Sequence, residues 1–392
     1  MTISIIISLC VLILTAYIFD VSAAKTRIPS VVLLLMLGFF LQIAADKIGV
    51  LVPSVNEILP LLGTIGLILV VLEGALELEI NKSKFPLILK ATLAAIIPIF
   101  TLGFGVSYYL NKIEGVPFHL AFYNAIPLTI ISSAIAIPSA ANLLKSDRDF
   151  VTYESSLSDI FGVILFNFFS ANEIINFKSI SGFGSDLIFM LSISFIATIV
   201  LALLLDKITH HVKFVPIIVC VILVYAISKV LHLPGLIFIL IFGLFIGNID
   251  ELPRNRWVKK LHPTKFKESV NKFKEINTEL AFLIRAMFFI LFGFLIKTSD
   301  LFNPDTIILS VSITAGIYLL RLIIMFLLKI KNQPILFVAP RGLITILLFL
   351  SIPELQRTIF IDKSVVVQVV VLTAFVMMFG MISYKKPQEN IN

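Results

Sequence analysis

Two carboxylates, Glu154 and Asp159, stand five residues apart in the string Tyr153-Glu154-Ser155-Ser156-Leu157-Ser158-Asp159-Ile160, inside a stretch otherwise apolar enough to cross a bilayer. A charged side chain near the bilayer centre costs roughly 2.5–3.5 kcal/mol even on lenient insertion scales, so it is expected only where a pathway, a partner or a proton relay offsets that cost. At ~100° per residue the two carboxylates point ~140° apart, while Ser155 shares a face with Asp159 and Ser158 shares one with Glu154. Groups on different faces have different tasks: one pairs with a buried cation and the other stays free to bind an ion or a proton. A dehydrated carboxylate can take up a proton near neutral pH and accept a cation once it has lost it. This reading gives the exchange chemistry to Asp159 and the ion pair to Glu154. The plainer alternative for Asp159 is that it only neutralises an intramembrane arginine.

The elements that must hold these groups follow from composition. The 392-residue chain is 59% hydrophobic and 14% charged, with a mean hydropathy of +1.06, too apolar for a soluble globule of this length. The fold class expected is all-α and polytopic, with about 13 transmembrane helices at approximately 2–20, 28–45, 58–78, 86–110, 118–144, 150–170, 184–205, 213–228, 234–248, 276–296, 306–328, 334–352 and 365–383. Most reach the ~20 residues that cross ~30 Å of hydrocarbon; the eighth and ninth are short. Ile3 to Phe19 lacks the charged start and small-residue cleavage site of a signal peptide and reads as a retained first span.

Of the 31 Lys and Arg, 20 fall in loops after odd-numbered spans or in the C-terminal tail and 7 in loops after even-numbered spans. The positive-inside rule then places the N-terminus outside and the C-terminus in the cytoplasm. The remaining four, Lys90, Arg285, Arg321 and Arg341, lie within spans and each needs a partner or an exit to water. The net charge of +7 is accounted for by this topology, so nucleic acid is not an expected partner. Cys10 and Cys220 lack metal-ligand spacing, and none of the five histidines, His119, His210, His211, His232 and His262, has the context of a zinc site. With no nucleophile–base pair or metal cluster in the membrane, an enzyme is not expected.

Two spans carry helix-breaking chemistry at corresponding places. In the fifth, Pro127 and Pro138 bracket Thr129-Ile130-Ile131-Ser132-Ser133-Ala134-Ile135-Ala136; in the twelfth stands Ala339-Pro340-Arg341-Gly342. Proline frees backbone groups that hydroxyls can satisfy. The two breaks are seven spans apart, as expected if residues 1–183 form one six-span repeat, 184–212 a linker span and 213–392 a second, inverted repeat. Interrupted helices at matching positions of inverted repeats point to a midplane binding site. The polar stretch 250–277 reads as a cytoplasmic loop in which Phe266, Val270 and Phe273 form one apolar stripe at helical spacing. It is either a helix lying on an anionic membrane surface or a solvated linker.

Glu154-Ser155-Ser156-Leu157-Ser158-Asp159 resembles the signature of the monovalent cation:proton antiporters, NhaP and Na+/H+ exchanger branch. Further motifs arrive in the family's order: Leu72-Glu73-Gly74-Ala75-Leu76-Glu77, Ser132-Ser133-Ala134-Ile135-Ala136, Leu283-Ile284-Arg285-Ala286-Met287-Phe288-Phe289, Arg321, and Ala339-Pro340-Arg341-Gly342-Leu343. The resemblance implies an inverted-repeat antiporter fold with two crossing unwound helices, and Asp159 as the site that alternates between H+ and a monovalent cation. It implies an oxygen cage completed by Ser155, backbone carbonyls near Ser132, and Glu73, the last of which could instead line the cytoplasmic funnel. It pairs Glu154 with Arg321 and makes Arg341 a second buried cation supporting the crossing, with Ser133 and Ser158 beside it; Arg285 would snorkel to the cytoplasmic surface. Two departures stand out. Ser158 replaces the usual Asn or Asp before the ion-binding carboxylate, and Ser132-Ser133-Ala134 replaces the branch's usual Thr-Asp-Pro.

With one exchangeable carboxylate, the function expected is electroneutral 1:1 exchange of Na+ (or Li+ or K+) for H+ by a homodimer in a bacterial inner (plasma) membrane, with no cofactor beyond the transported ions. A gated monovalent cation channel or K+ efflux pathway is the alternative that could use the same carboxylates.

Overall fold

A computed structural model describes residues 2–26, 28–48, 55–80, 82–208, 210, 212–231, 233–248, 263–330 and 333–384. The described residues form helices and connecting turns without strands: α1 (Thr2–Thr26), α2 (Ser30–Ile48), α3 (Val55–Glu77), α4 (Phe85–Glu114), α5 (Phe118–Thr129), α6 (Ser133–Ala140), α7 (Lys145–Ala171), α8 (Phe177–Lys207), α9 (Phe214–Val230), α10 (Leu236–Gly247), α11 (Pro263–Phe294), α12 (Thr298–Leu301), α13 (Pro304–Leu327), α14 (Leu343–Ser351) and α15 (Lys363–Ser383). Hydrocarbon offers no partner to a free N–H or C=O, so helices that satisfy their own backbone are the form such apolar segments take. Among the described residues, nine helical segments are long and apolar enough to span, with α5 and α6 together making one of them; α9 and α10 are shorter. The expected count of 13 is therefore not reproduced by length and hydropathy alone. Helix α7 carries Glu154, Asp159 and several hydroxyls, which set it apart from the apolar spans.

Outward faces are apolar. Leu14 on α1, Phe189 and Ile196 on α8, Leu223 on α9 and Phe326 on α13 are exposed, a surface suited to acyl chains rather than water. Inside, helices approach through small residues. Gly38 of α2 and Gly293 of α11 meet backbone to backbone, and Gly243 and Gly247 of α10 lie against Ala75 and Leu76 of α3, the close packing that holds helices together where no hydrophobic drive exists between them. Helices α2, α3, α10 and α11 pack into one group, and α4, α5, α7, α13 and α15 into another; α3 runs along α6 and α7 where the two meet.

The expectation for the polar loop changes. Residues 263–277, read as the second half of a polar loop, open the long helix α11 instead, and Phe266, Val270 and Phe273 are buried. The Phe273 ring stands edge-on to Phe242 of α10, centroids 6.0 Å apart, so the stripe turns into the protein rather than onto a lipid surface or into solvent. The rest of that loop, including Trp257, lies outside the described residues. The division at residue 183 falls inside α8, whose start is set by Asn176: its side chain accepts from Ser179 N at 2.8 Å and its N–H donates to Ser179 Oγ at 2.8 Å, a reciprocal cap that ends the preceding loop.

The turn between α3 and α4 is anchored to neighbouring helix ends. Lys84 Nζ donates to Glu79 Oε2 at 2.7 Å and Asp149 Oδ2 at 2.9 Å, and the Tyr153 hydroxyl donates to the Glu79 carbonyl. Asn248 accepts from Ile80 N at 2.5 Å and donates to Leu78 O at 2.6 Å. The hydrogen bond and charge of Lys84 hold the Glu79 carboxyl below its ordinary range. Lys145, Arg148 and Lys274 gather at the same end of the bundle around a 290 Å³ cavity. The turn after α3, the start of α7 and this part of α11 therefore share one face.

Candidate ion-exchange site

The fifth span is helical to Thr129 and again from Ser133, so the break falls at 130–132, with Pro127 and Pro138 inside the flanking helices. The twelfth is irregular from Val338 to Gly342. The two breaks lie against each other: Ser132 N donates to Pro340 O at 2.9 Å. Each break exposes helix ends whose peptide dipoles need compensation.

Arg341 supplies it at the end of α5. Only 1% exposed, its guanidinium donates to Leu128 O at 2.9 Å, Thr129 O at 3.0 Å and Ala339 O at 2.8 Å, and its N–H donates to Thr373 Oγ1 of α15 at 3.0 Å. One cation thus ties the negative end of α5 to the second break. At the other side, α7 satisfies the start of α6. Ser158 Oγ accepts from Ile131 N at 3.0 Å, and Asp159 Oδ2 accepts from Ser133 N at 3.2 Å and from the Ser133 hydroxyl. A carboxylate at a helix N-terminus is stabilised by the dipole. Asp159 is 1% exposed, yet its Oδ1 has no hydrogen-bond partner among the described residues, and neither have the hydroxyls of Ser132, Ser156 and Thr345.

Glu154 and Arg321 come together on the far side of α7 in a bidentate pair, 2.6 and 2.8 Å, and Arg321 also donates to Ile335 O and Leu336 O. Fork geometry of this kind fixes both side chains. Glu73, expected in the cage or along the funnel, has its carboxylate facing Arg285 of α11 at 3.5 Å. Arg285 is itself buried rather than snorkelling, because α11 presents it to α3 and not to the membrane surface. Ser155 Oγ donates to Val151 O at 2.7 Å, which leaves its lone pairs but no hydrogen bond to Asp159. The Ser132 carbonyl is used by Ile135 N and Ala136 N to start α6, so Ser132 offers its hydroxyl instead. Ser133, expected only as support for the crossing, is the residue that holds Asp159. Its position at the first turn after the break was the available signal.

Cavities flank the site. One of 540 Å³, lined by Asp20, Ser30, Ser139 and Asn142 among others, opens between α1, α2, α6 and α15. Another of 210 Å³, lined by Thr64, Val163, Asn167 and Lys229 among others, lies toward the opposite end. Val163 and Asn167 follow Asp159 at four and eight residues, on one face of α7. Among the described residues no group of three or more His, Cys, Asp or Glu side chains could hold a metal ion.

A helical membrane bundle in which two broken helices cross beside a buried carboxylate is the architecture of a secondary transporter. The chain belongs to the sodium/hydrogen exchanger family, whose transmembrane profile matches residues 10–383. Its fold is similar to the sodium proton antiporter MjNhaP1 from Methanocaldococcus jannaschii at pH 8, with TM-score 0.68 and 18% identity over 97% of this chain and 98% of that one. The electron-microscopy structure of the same antiporter gives TM-score 0.68 and 18% identity over 99% and 100%. No curated protein sequence matches significantly. The protein is an integral membrane cation/proton exchanger by family, not an enzyme.

Proposed function

We propose that this protein exchanges Na+, or Li+ or K+, for H+ in a 1:1 electroneutral cycle at Asp159. The observation that carries the reading is the buried, half-satisfied carboxylate. Ser133 holds one oxygen, while Oδ1 stays free for a proton or a cation. Ser132 and Ser155 hydroxyl oxygens supply neutral ligands, matched to a hard monovalent ion. Glu73, engaged by Arg285, lines the approach. Ser158 brings no second charge and instead satisfies Ile131 N, which supports one exchangeable charge per cycle.

In the cycle, Asp159 carries either H+ or the cation between the two flanking cavities. The group containing α5, α6, α7, α14 and α15 moves against the group containing α2, α3, α10 and α11. An empty charged site is costly to carry across the barrier, so movement is favoured when it is loaded. Glu154–Arg321 and Arg341 keep the moving group intact without entering the exchange. The protein works as a homodimer in a bacterial inner membrane, N-terminus outside and C-terminus cytoplasmic, with the Lys- and Arg-rich face inward.

The test is proton flux in everted vesicles of an antiporter-deficient host on adding Na+, Li+ or K+, with Asp159→Asn alongside. Cation-driven dissipation of the pH gradient that is lost in the variant is expected and names the ion. Equal signals in both, or cation flow without proton counterflow, would remove Asp159 exchange from consideration.

A further inference from the structure

A serine inside a helix usually donates its hydroxyl to the carbonyl four residues back. Ser139, Ser155 and Ser194 do so, at 2.6–2.7 Å. Ser156 does not. It is fully buried on α7, and its Oγ has no hydrogen-bond partner among the described residues. The hydroxyl is turned toward α3 at Gly74, where a side chain would meet both Ser156 Oγ and Ile137 of α6. Ser156 therefore sits at the seam between the two helix groups.

Its place on α7 brings it to the exchange site. Ser156 and Asp159 are three residues apart and so are neighbours on one face, with Cβ atoms about 5–6 Å apart. Asp159 Oδ1 is likewise buried and without a partner, as is the hydroxyl of Ser132, the residue before the one that holds Asp159 Oδ2. Buried polar oxygens without partners are unfavourable unless something else binds them. Asp159 Oδ1 and the hydroxyls of Ser132 and Ser156 are all hard oxygen donors of the kind an alkali cation takes.

We propose that Ser156 is a further ligand of the transported cation, its hydroxyl oxygen acting with Asp159 Oδ1 and Ser132 Oγ. This rests on the reading of Asp159 as the exchange site. A neutral hydroxyl does not hold the exchanged proton, so Ser156 acts on cation affinity alone. With H+ and cation competing at one carboxylate, loss of Ser156 raises the cation KM at every pH and leaves the pH at which protons begin to compete where it was.

The experiment is Na+-dependent proton flux in proteoliposomes of the full chain across a pH series, for wild type, Ser156→Ala and Ser156→Cys. Cysteine keeps the volume against Gly74 but replaces a hard oxygen with sulfur, a poor alkali ligand. Both variants are expected to raise the limiting KM about tenfold, the worth of one ligand to a charged group, with the proton-competition midpoint and the amount of folded protein unchanged. A wild-type KM in either variant, including a loss in Ala that Cys restores, would overturn the proposal, since restoration by Cys is the mark of a packing role. Asp159→Asn is run in parallel; retained exchange there would remove the underlying reading, independently of what the Ser156 variants do.

Discussion

Removing the Arg321 side chain tests how the moving group is held together. Glu154 and Arg321 side chains are 1% and 5% exposed, so neither charge is solvated by water. Arg321→Ala leaves an uncompensated buried carboxylate, for which about 3–5 kcal/mol is expected, and takes the donor from the Ile335 and Leu336 carbonyls as well. Glu154→Gln is milder: the guanidinium keeps its carbonyl partners, and losing a charged hydrogen-bond acceptor costs about 1.5–3 kcal/mol. At about 2 °C per kcal/mol for a chain of this size, Arg321→Ala melts about 6–10 °C below wild type. The double variant Glu154→Leu/Arg321→Met is expected to recover part of that loss, because an apolar pair leaves no buried charge. The assay is thermal denaturation of the detergent-solubilised protein, followed by fluorescence-detected size exclusion. A shift under 2 °C for Arg321→Ala, or a double variant no better than that single one, would refute the pairing argument.

Three further outcomes follow from the same geometry. Arg341→Lys is expected to behave nearly as badly as Arg341→Gln in both melting temperature and exchange rate, since an ammonium cannot reach the carbonyls of Leu128, Thr129 and Ala339 together as the guanidinium fork does. Arg285→Gln should lower stability by about 3 kcal/mol, because the side chains of the pair are only 9% and 13% exposed and the Glu73 carboxylate is left without its cation; Arg285→Gln/Glu73→Gln should recover part of that loss, since no buried charge is then unpaired. Lys84 and Glu79 make the α3–α4 turn pH-sensitive at the acid end. Because the Glu79 carboxyl titrates below its ordinary value of 4.5, its contribution is present above that value and is lost as pH falls through the lowered one. Hydrogen–deuterium exchange at residues 78–84 should therefore rise on acidification in wild type and be already high at neutral pH in Lys84→Ala.

The course of the polypeptide was largely legible in one dimension. Runs of apolar residues long enough for a bilayer mark the spans, and the helices lie close to those ranges because each must satisfy its own backbone. The shift of the start of the tenth span from 276 to 263 is the informative exception. A stripe of Phe266, Val270 and Phe273 has the same period whether it meets lipid or protein, and only the position of Phe242 decides which.

At the site, residue types and spacing were enough to separate Glu154 from Asp159, since a five-residue offset puts them on different faces of any α-helix. Proline and glycine were enough to say that two spans break, because the ring removes a donor and cannot continue the ladder. Which partners those groups find was not encoded locally. Arg321 is 167 residues from Glu154, Arg341 is 213 from Leu128, and Asp159 is 26 from Ser133. Arg285 shows the difference most clearly: its distance from the span end predicts an exit to water, and α3 instead brings Glu73 to it. The sequence by itself determined the membrane-spanning class, the two breaks and the two carboxylates, all set by hydropathy and helical period. Tertiary structure alone decided which oxygens of the site are satisfied and which remain free, because that depends on where separate helices cross.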